Sequence, residues 1–224
     1  MVRAKSWFPT VTEKDCIGWL CVALLLAAMS SAQAQTPATE LAGLLEPVQR
    51  MNAQFTQTVL GVRHELLQSA EGYLRLARPQ QFKWVLLAPF PQTIVTSGDR
   101  VYIYDPDLNQ VQVRSLDEAL RGTPAMILLG TAADIEARFT VSHALVDGSD
   151  AFVLVPKDPD ALYTEIRMAF SARRMVSIEI VDSLGQLTDV SFHNVEINGE
   201  QAADEFQFDV PPDADLIGDV APTA

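Results

Sequence analysis

From Asn52 onward the chain is a succession of short segments in which alternate residues face opposite ways, and this pattern limits the fold more than any other feature. Phe55, Gln57 and Val59 alternate with Gln54, Thr56 and Thr58. Residues 72–77, 81–87, 93–96, 100–104 and 110–114 repeat the period of two, and so do 137–145, 151–156, 164–170, 175–181, 187–196 and 206–210. The connections are turn residues: Pro89-Phe90-Pro91, Ser97-Gly98-Asp99, Asp105-Pro106-Asp107, Asp147-Gly148-Ser149 and Ser183-Leu184-Gly185. About eleven consecutive antiparallel strands form a meander, which must curl to bury one face. The fold class is mainly β.

Two helices interrupt the pattern. Leu41, Leu44, Leu45 and Val48 fall at helical spacing after Thr36-Pro37, a good helix start. Pro47 would clash with the carbonyl of Gly43, so the helix ends or kinks there. A second helical stretch covers roughly residues 116–129. Helices this few cover the concave side of the sheet or plug its mouth.

The first 34 residues read as an address rather than a part of the fold. Arg3, Lys5 and Lys14 precede a 13-residue apolar run, Ile17 to Met29, followed by Ala32-Gln33-Ala34, the small-x-small form that signal peptidase reads. A bilayer-spanning helix needs roughly 20 apolar residues. The expectation is a cleaved Sec signal over 1–34 and a single mature domain over 35–224, with no repeat or linker. Cys16 and Cys21 both leave with the signal, which removes disulfides, thiolate catalysis and cysteine-bound zinc from the mature protein. Neither cysteine ends a lipobox. The signal takes 3 of 16 basic and 2 of 29 acidic residues, leaving 13 against 27, a net charge of −14. Such acidity repels nucleic acid and anionic headgroups.

Motifs for catalysis are missing: there is no Gly-x-Ser-x-Gly elbow, no phosphate-cradling glycine loop and no His-Glu-x-x-His pair. His64, His143 and His193 lie far apart. Asp105, Asp107 and Asn109 imitate a calcium loop, but Gln110 and Leu116 occupy the positions of its glycine and final glutamate, so the segment is a hairpin turn. No metal or cofactor is expected. Residues 123–130 are more informative. Pro124 suits a first helical turn capped by Thr123, and Met126, Ile127, Leu128 and Leu129 cover nearly the whole circumference. The segment is either a core helix or a lid over an apolar ligand, and Leu44, Leu45 and Val48 carry the same two readings. Pro79 pushes Arg78 toward an extended conformation at a strand end. There it is a surface charge at a turn, or it points inward and needs acceptors that helix C-terminal carbonyls could supply.

Phe55-Thr56-Gln57-Thr58-Val59, Arg78-Pro79 with Phe82 and Trp84, Thr123-Pro124-x-Met126, and Phe206-x-Phe208 with Pro211-Pro212 resemble the signature stretches of the LolA family, in the same order, from about Leu41 to Pro212. The resemblance implies an open, incomplete antiparallel β-barrel with lid helices over an apolar cavity. It implies a periplasmic, non-enzymatic chaperone, a monomer, that takes acylated lipoproteins from an inner-membrane ABC exporter and hands them to the outer-membrane receptor LolB or an equivalent. Leu41, Leu44, Leu45, Val48, Phe55, Trp84, Pro124, Met126, Ile127 and Leu128 would line the lipid site or its lid. Arg78 would be the latch and Phe82 would lie near the exporter-contacting surface. A related acyl-binding receptor or envelope-stress sensor of the same fold is the alternative. Ala125, where the family often has a bulkier residue, and Pro47 both touch the lid, so the family's cavity volume and lid mobility are not carried over.

Overall fold

The structure, a computed structural model, describes residues 36–116, 125–129, 131–146 and 149–218. The signal segment, the Asp147-Gly148 turn and Thr123-Pro124 lie outside the described residues.

Helix α1 spans Pro37–Leu45, with Pro37 in its first turn and the Thr36 hydroxyl accepting a hydrogen bond from the Thr39 N–H. Its inward stripe is Ala38, Leu41, Ala42 and Leu45. The helix stops before Pro47, as the missing N–H requires. The Gly43 carbonyl, which has no donor four residues on, instead accepts from Arg173 Nη2 at 3.2 Å.

Strands β1 (Arg50–Leu60), β2 (Leu66–Ala77), β3 (Gln81–Ala88), β4 (Gln92–Ser97), β5 (Arg100–Asp105) and β6 (Gln110–Ser115) form one run of hairpins. A second run comprises β7 (Phe139–Val146), β8 (Ser149–Pro156), β9 (Tyr163–Ser171), β10 (Arg174–Asp182) and β11 (Leu187–Ile197). Pairing of β1 with β11 merges the two into one sheet, in the order β12-β6-β5-β4-β3-β2-β1-β11-β10-β9-β8-β7. Its ends, β12 and β7, are not paired with each other, so the sheet stays open rather than closing into a barrel.

Three expectations need correction. The sheet has twelve strands, close to the expected eleven, but not all are antiparallel: the last, β12 (Asp215–Gly218), runs parallel to β6. Residues 206–210 form no strand. Phe206 and Phe208 mimic alternation, but their segment lies across the face of the sheet opposite the helices. There Phe208 packs on Tyr102 and Tyr104 at 5.3 and 6.0 Å, and the Lys83 ammonium donates to the Glu205 carbonyl at 2.8 Å. Residues 132–138, partly assigned to strand from the sequence, are helix α3 (Ala132–Arg138), started by a reciprocal cap between Thr131 and Asp134.

Helix α2 (Ala125–Leu129) and α3 both lie on the β6–β7 connection. Since β6 sits next to one edge and β7 is the other, this connection has to cross a face of the sheet. It crosses the inner face, where α2 and α3 join α1 in one apolar cluster with the strands. Leu41 and Ile127 meet Leu74, Leu154, Ile166 and Met168, all at most 1 % exposed. Burial of each such side chain contributes about 1.5–3 kcal/mol, and this holds the short helices in place.

Candidate functional site

The strands bring three aromatic residues together under the helices. Phe55 of β1 pairs with Gly72 of β2, which pairs with Leu86 of β3, so all three positions face inward. Gly72 leaves room for the Phe55 ring. A Cβ there would stand 2.5 Å from that ring and 2.0 Å from the Val85 carbonyl oxygen. Freed from a side chain below, Phe55 stacks on Trp84 with centroids 4.0 Å apart, and Phe192 meets Trp84 edge-on at 6.4 Å. Above this floor lie the apolar residues of the helices. Leu41, Leu45, Ile127 and Leu128 are buried, and Leu44 and Val48 are partly buried against the same cluster. Met126 lies within α2, and Pro124 is outside the described residues.

The fit is close. Between α1, α2 and the strands there remains a cavity of about 20 Å³, lined by Leu44, Leu45, Val48, Met51, Leu128 and Phe170 among others. That is room for about one water molecule. A larger apolar guest in this space would require the helices to move away from the sheet.

Arg78 sits where such a movement would be resisted. Strand β2 ends at Ala77, and the Arg78 N–H donates to the Gln49 carbonyl at 2.9 Å, anchoring the residue beside the end of α1. Its guanidinium then donates to four carbonyls: Nε to Val48 at 3.0 Å, Nη1 to Leu129 at 2.8 Å, and Nη2 to Leu45 at 3.2 Å and Leu128 at 2.9 Å. Leu45 ends α1, Val48 lies in the turn just beyond it, and Leu128 and Leu129 end α2. Helix C-terminal carbonyls have no intrahelical donor and carry partial negative charge, so one cation satisfies both ends. Burial lowers the guanidinium pKa from its ordinary value, and the nearby Glu46 carboxylate acts in the opposite sense. None of the four acceptors is itself an ion. The clip is therefore a set of charge–dipole bonds, each contributing about 1.5–3 kcal/mol.

Phe82, expected near a partner-contacting surface, is 7 % exposed and packs into the cluster beside Trp84. In this conformation its side chain offers a partner almost no area. Its backbone is fixed by Thr96, whose buried hydroxyl accepts from the Phe82 N–H at 2.7 Å and donates to the Phe82 carbonyl at 3.3 Å. Thr96, Arg173 and Asn198 were not singled out in the sequence. Asn198 holds the segment after α1, its Oδ1 accepting from the Gln49 and Arg50 N–H groups and its Nδ2 donating to the Pro47 carbonyl. No motif marks these residues, although Asn198 and Arg173 both adopt positive φ, a rare conformation for which asparagine is favoured.

The histidines stay apart. His143 lies 3.2 Å from Asp150 and 3.9 Å from Glu40, and His193 contacts Thr56. Among the described residues no group of three or more His, Cys, Asp or Glu could hold a metal ion, and no helix is long and apolar enough to cross a membrane.

A single cation thus ties two helix ends together over an apolar face. Comparison with known proteins identifies the family. Residues 46–209 match the family described as outer membrane lipoprotein carrier protein LolA. An outer-membrane lipoprotein carrier protein of Chromohalobacter salexigens is 41 % identical over 199 residues, covering 88 % of this chain and 95 % of its own. Proteins of the same description from Hahella chejuensis and Pseudomonas aeruginosa are 38 % and 36 % identical, covering 87 % and 88 % of this chain and 95 % and 96 % of theirs. The chain belongs to the LolA family of lipoprotein carriers, chaperones that perform no enzymatic step.

Proposed function

We propose that this protein, after loss of residues 1–34, works as a monomer in the periplasm. It binds the acyl chains of lipoproteins released by an inner-membrane ABC exporter and passes them to an outer-membrane receptor such as LolB. The observation that carries this reading is the Arg78 clip, which ties the ends of α1 and α2 together over an apolar face.

The magnitudes fit a carrier without nucleotide. Opening the roof sacrifices four charge–dipole bonds, on the order of 6–12 kcal/mol at about 1.5–3 each. Each methylene withdrawn from water returns about 0.8 kcal/mol, so an acyl chain of about 15 methylenes returns roughly 12 kcal/mol. Terms of the same order let the carrier load and still release. The binding groups are Leu41, Leu44, Leu45, Val48, Phe55, Trp84, Met126, Ile127 and Leu128, which offer area without directional bonds.

The test is binding of a fluorescent triacylated lipopeptide to the purified protein, beside its deacylated counterpart. Saturable binding of the acylated form alone is expected. Equal affinity for both forms, or for neither, would remove the acyl chains from the account.

A further inference from the structure

Arg78 is not alone in holding the end of α1. Pro47 has no N–H, so the Gly43 carbonyl lacks the donor that a helix would supply four residues on, and Arg173 Nη2 takes that place at 3.2 Å. Asn198, one residue past β11, donates from Nδ2 to the Pro47 carbonyl at 3.0 Å and accepts from the Gln49 N–H at 2.8 Å.

Arginine is an unexpected residue for position 173. Strand β9 ends at Ser171 and β10 begins at Arg174, so Ala172 and Arg173 are the two central residues of a hairpin turn. Their φ angles are +48° and +62°. Two-residue turns of this kind favour Asn and Gly, which tolerate positive φ. The turn itself has no use for a guanidinium. What this position offers is reach: from the β9–β10 hairpin the side chain meets the last turn of α1. Arg173 also lines the small cavity beside Leu44, Val48 and Phe170, so its bond to Gly43 sets where these α1 residues stand relative to the sheet.

The two arginines differ in what they join. Arg78 spans both helix ends, donating to Leu45 and Val48 on one side and to Leu128 and Leu129 on the other. Arg173 and Asn198 reach α1 and the turn that follows it, each from the β9–β11 part of the sheet. When the Arg78 bonds break, α2 loses its tie to α1. The end of α1 keeps two ties of its own.

We propose that Arg173 is a positioning residue of the carrier: with Asn198 it pins the end of α1 to the sheet as the fixed point of the roof, so that loading displaces α2 and leaves that end in place. Resting on the carrier reading above, such pinning holds Leu44, Leu45 and Val48 beside Met51 and Phe170 for each new cargo. Arg173 stands in for the helical bond that Pro47 removes, and this makes its role reversible by a second substitution. Pro47→Ala returns the missing N–H. Glu46 is helical in φ and ψ, and its own N–H already bonds the Ala42 carbonyl at 2.8 Å, so the backbone is placed for the next bond in the series.

Distances between spin labels test this, in protein expressed from the full chain with Cys16→Ser and Cys21→Ser. One pair joins Glu46→Cys, just past α1, to Thr140→Cys on β7, both exposed positions. A second pair joins Ala125→Cys on α2 to Thr140→Cys. Without further substitution, the 46–140 distance should be narrow and unmoved by the triacylated lipopeptide, while the 125–140 distance lengthens on loading. Arg173→Ser should broaden the 46–140 distribution and weaken lipopeptide affinity about two- to tenfold, the range that one hydrogen bond contributes. Adding Pro47→Ala should restore both. A 46–140 distance that shifts on loading overturns the proposal, because α1 then moves with α2. An Arg173→Ser distribution as narrow as that of the parent also overturns it, and so does a broadened one with affinity unchanged or with no rescue by Pro47→Ala. Absence of any lipopeptide binding by the parent counts against the carrier reading, and the widths in the empty protein then decide the role of Arg173.

Discussion

Inward-facing Phe152, Leu154, Ile166, Met168 and Ile178, in the β7–β11 half of the sheet, are each at most 4 % exposed, while Trp84, Leu86, Ile94 and Ile103 in β3–β5 are only half-buried. The alternation is equally regular in both halves, so pattern alone does not decide burial. What lies opposite does. Helix α1 packs on α3 and β7, and α3 continues into β7, so the helices rest mainly on the β7–β11 half. At the centre Arg78, just past the end of β2, also ties the C-terminal ends of α1 and α2 together. The inner face is thus mostly closed core over β7–β11 and largely half-open apolar surface over β3–β5. Room for a guest can be made over β3–β5 without dismantling β7–β11.

The largest expected effect comes from spoiling the roof itself. Ile127 is 1 % exposed, and Ile127→Glu would set a carboxylate against the cluster at a cost of several kcal/mol. Lipoprotein uptake should vanish in a pull-down while the strand signal in circular dichroism persists. Retained uptake would mean that α2 is no part of the binding surface.

A paired substitution addresses the two halves directly. Ile166→Ala empties a fully buried site and should lower unfolding free energy by about 2–5 kcal/mol in urea, leaving lipopeptide affinity within about twofold. Ile103→Ala, at a half-buried position, should cost about 1 kcal/mol or less in stability and yet weaken lipopeptide binding. Equal behaviour of the two would erase the distinction.

How much of this contrast was legible beforehand depends on the kind of signal each segment carries. Hairpins announced themselves through turn chemistry and alternation, and β1–β11 all appear, although β2 begins at Leu66, six residues before its expected start. Phe206 and Phe208 misled because alternate aromatics fit an irregular segment lying on Tyr102 and Tyr104 as well as they fit a strand. Helix α3 escaped notice because Ile135 is its one buried side chain, leaving no apolar stripe; only the Thr131–Asp134 spacing marked its start. The acceptors of Arg78 could be foreseen as a class, helix-end carbonyls, but not as Leu45, Val48, Leu128 and Leu129, since they lie 30 to 51 residues away in sequence. The burial of Phe82 was not legible for a similar reason: it comes from a cluster assembled by several distant strands and the helices.

The smallest effect expected is at α3. The Thr131 backbone N–H and hydroxyl donate to Asp134 and hold its carboxyl below the usual value. A depressed folded-state pKa means stabilisation present above the unfolded value and lost as pH falls through the folded one. Because the group is exposed, the contribution is below about 1 kcal/mol. Asp134→Asn should therefore flatten the pH dependence of stability below about pH 4, with little change at neutral pH; an unaltered acid limb would show that the cap is energetically idle.

The central claim is that Arg78 trades affinity for release. Closing bonds in the empty state compete with the guest, so removing them should raise apparent affinity and slow departure. Arg78→Leu keeps apolar bulk and deletes all five donors. The decisive measurement is the rate at which a loaded carrier passes an acylated lipoprotein to its receptor. The account predicts that Arg78→Leu still loads cargo but transfers it at least tenfold more slowly, the factor that a single lost charged bond of about 1.5–3 kcal/mol would produce. Transfer at the wild-type rate would contradict it and leave Arg78 as a structural tie between two helix ends.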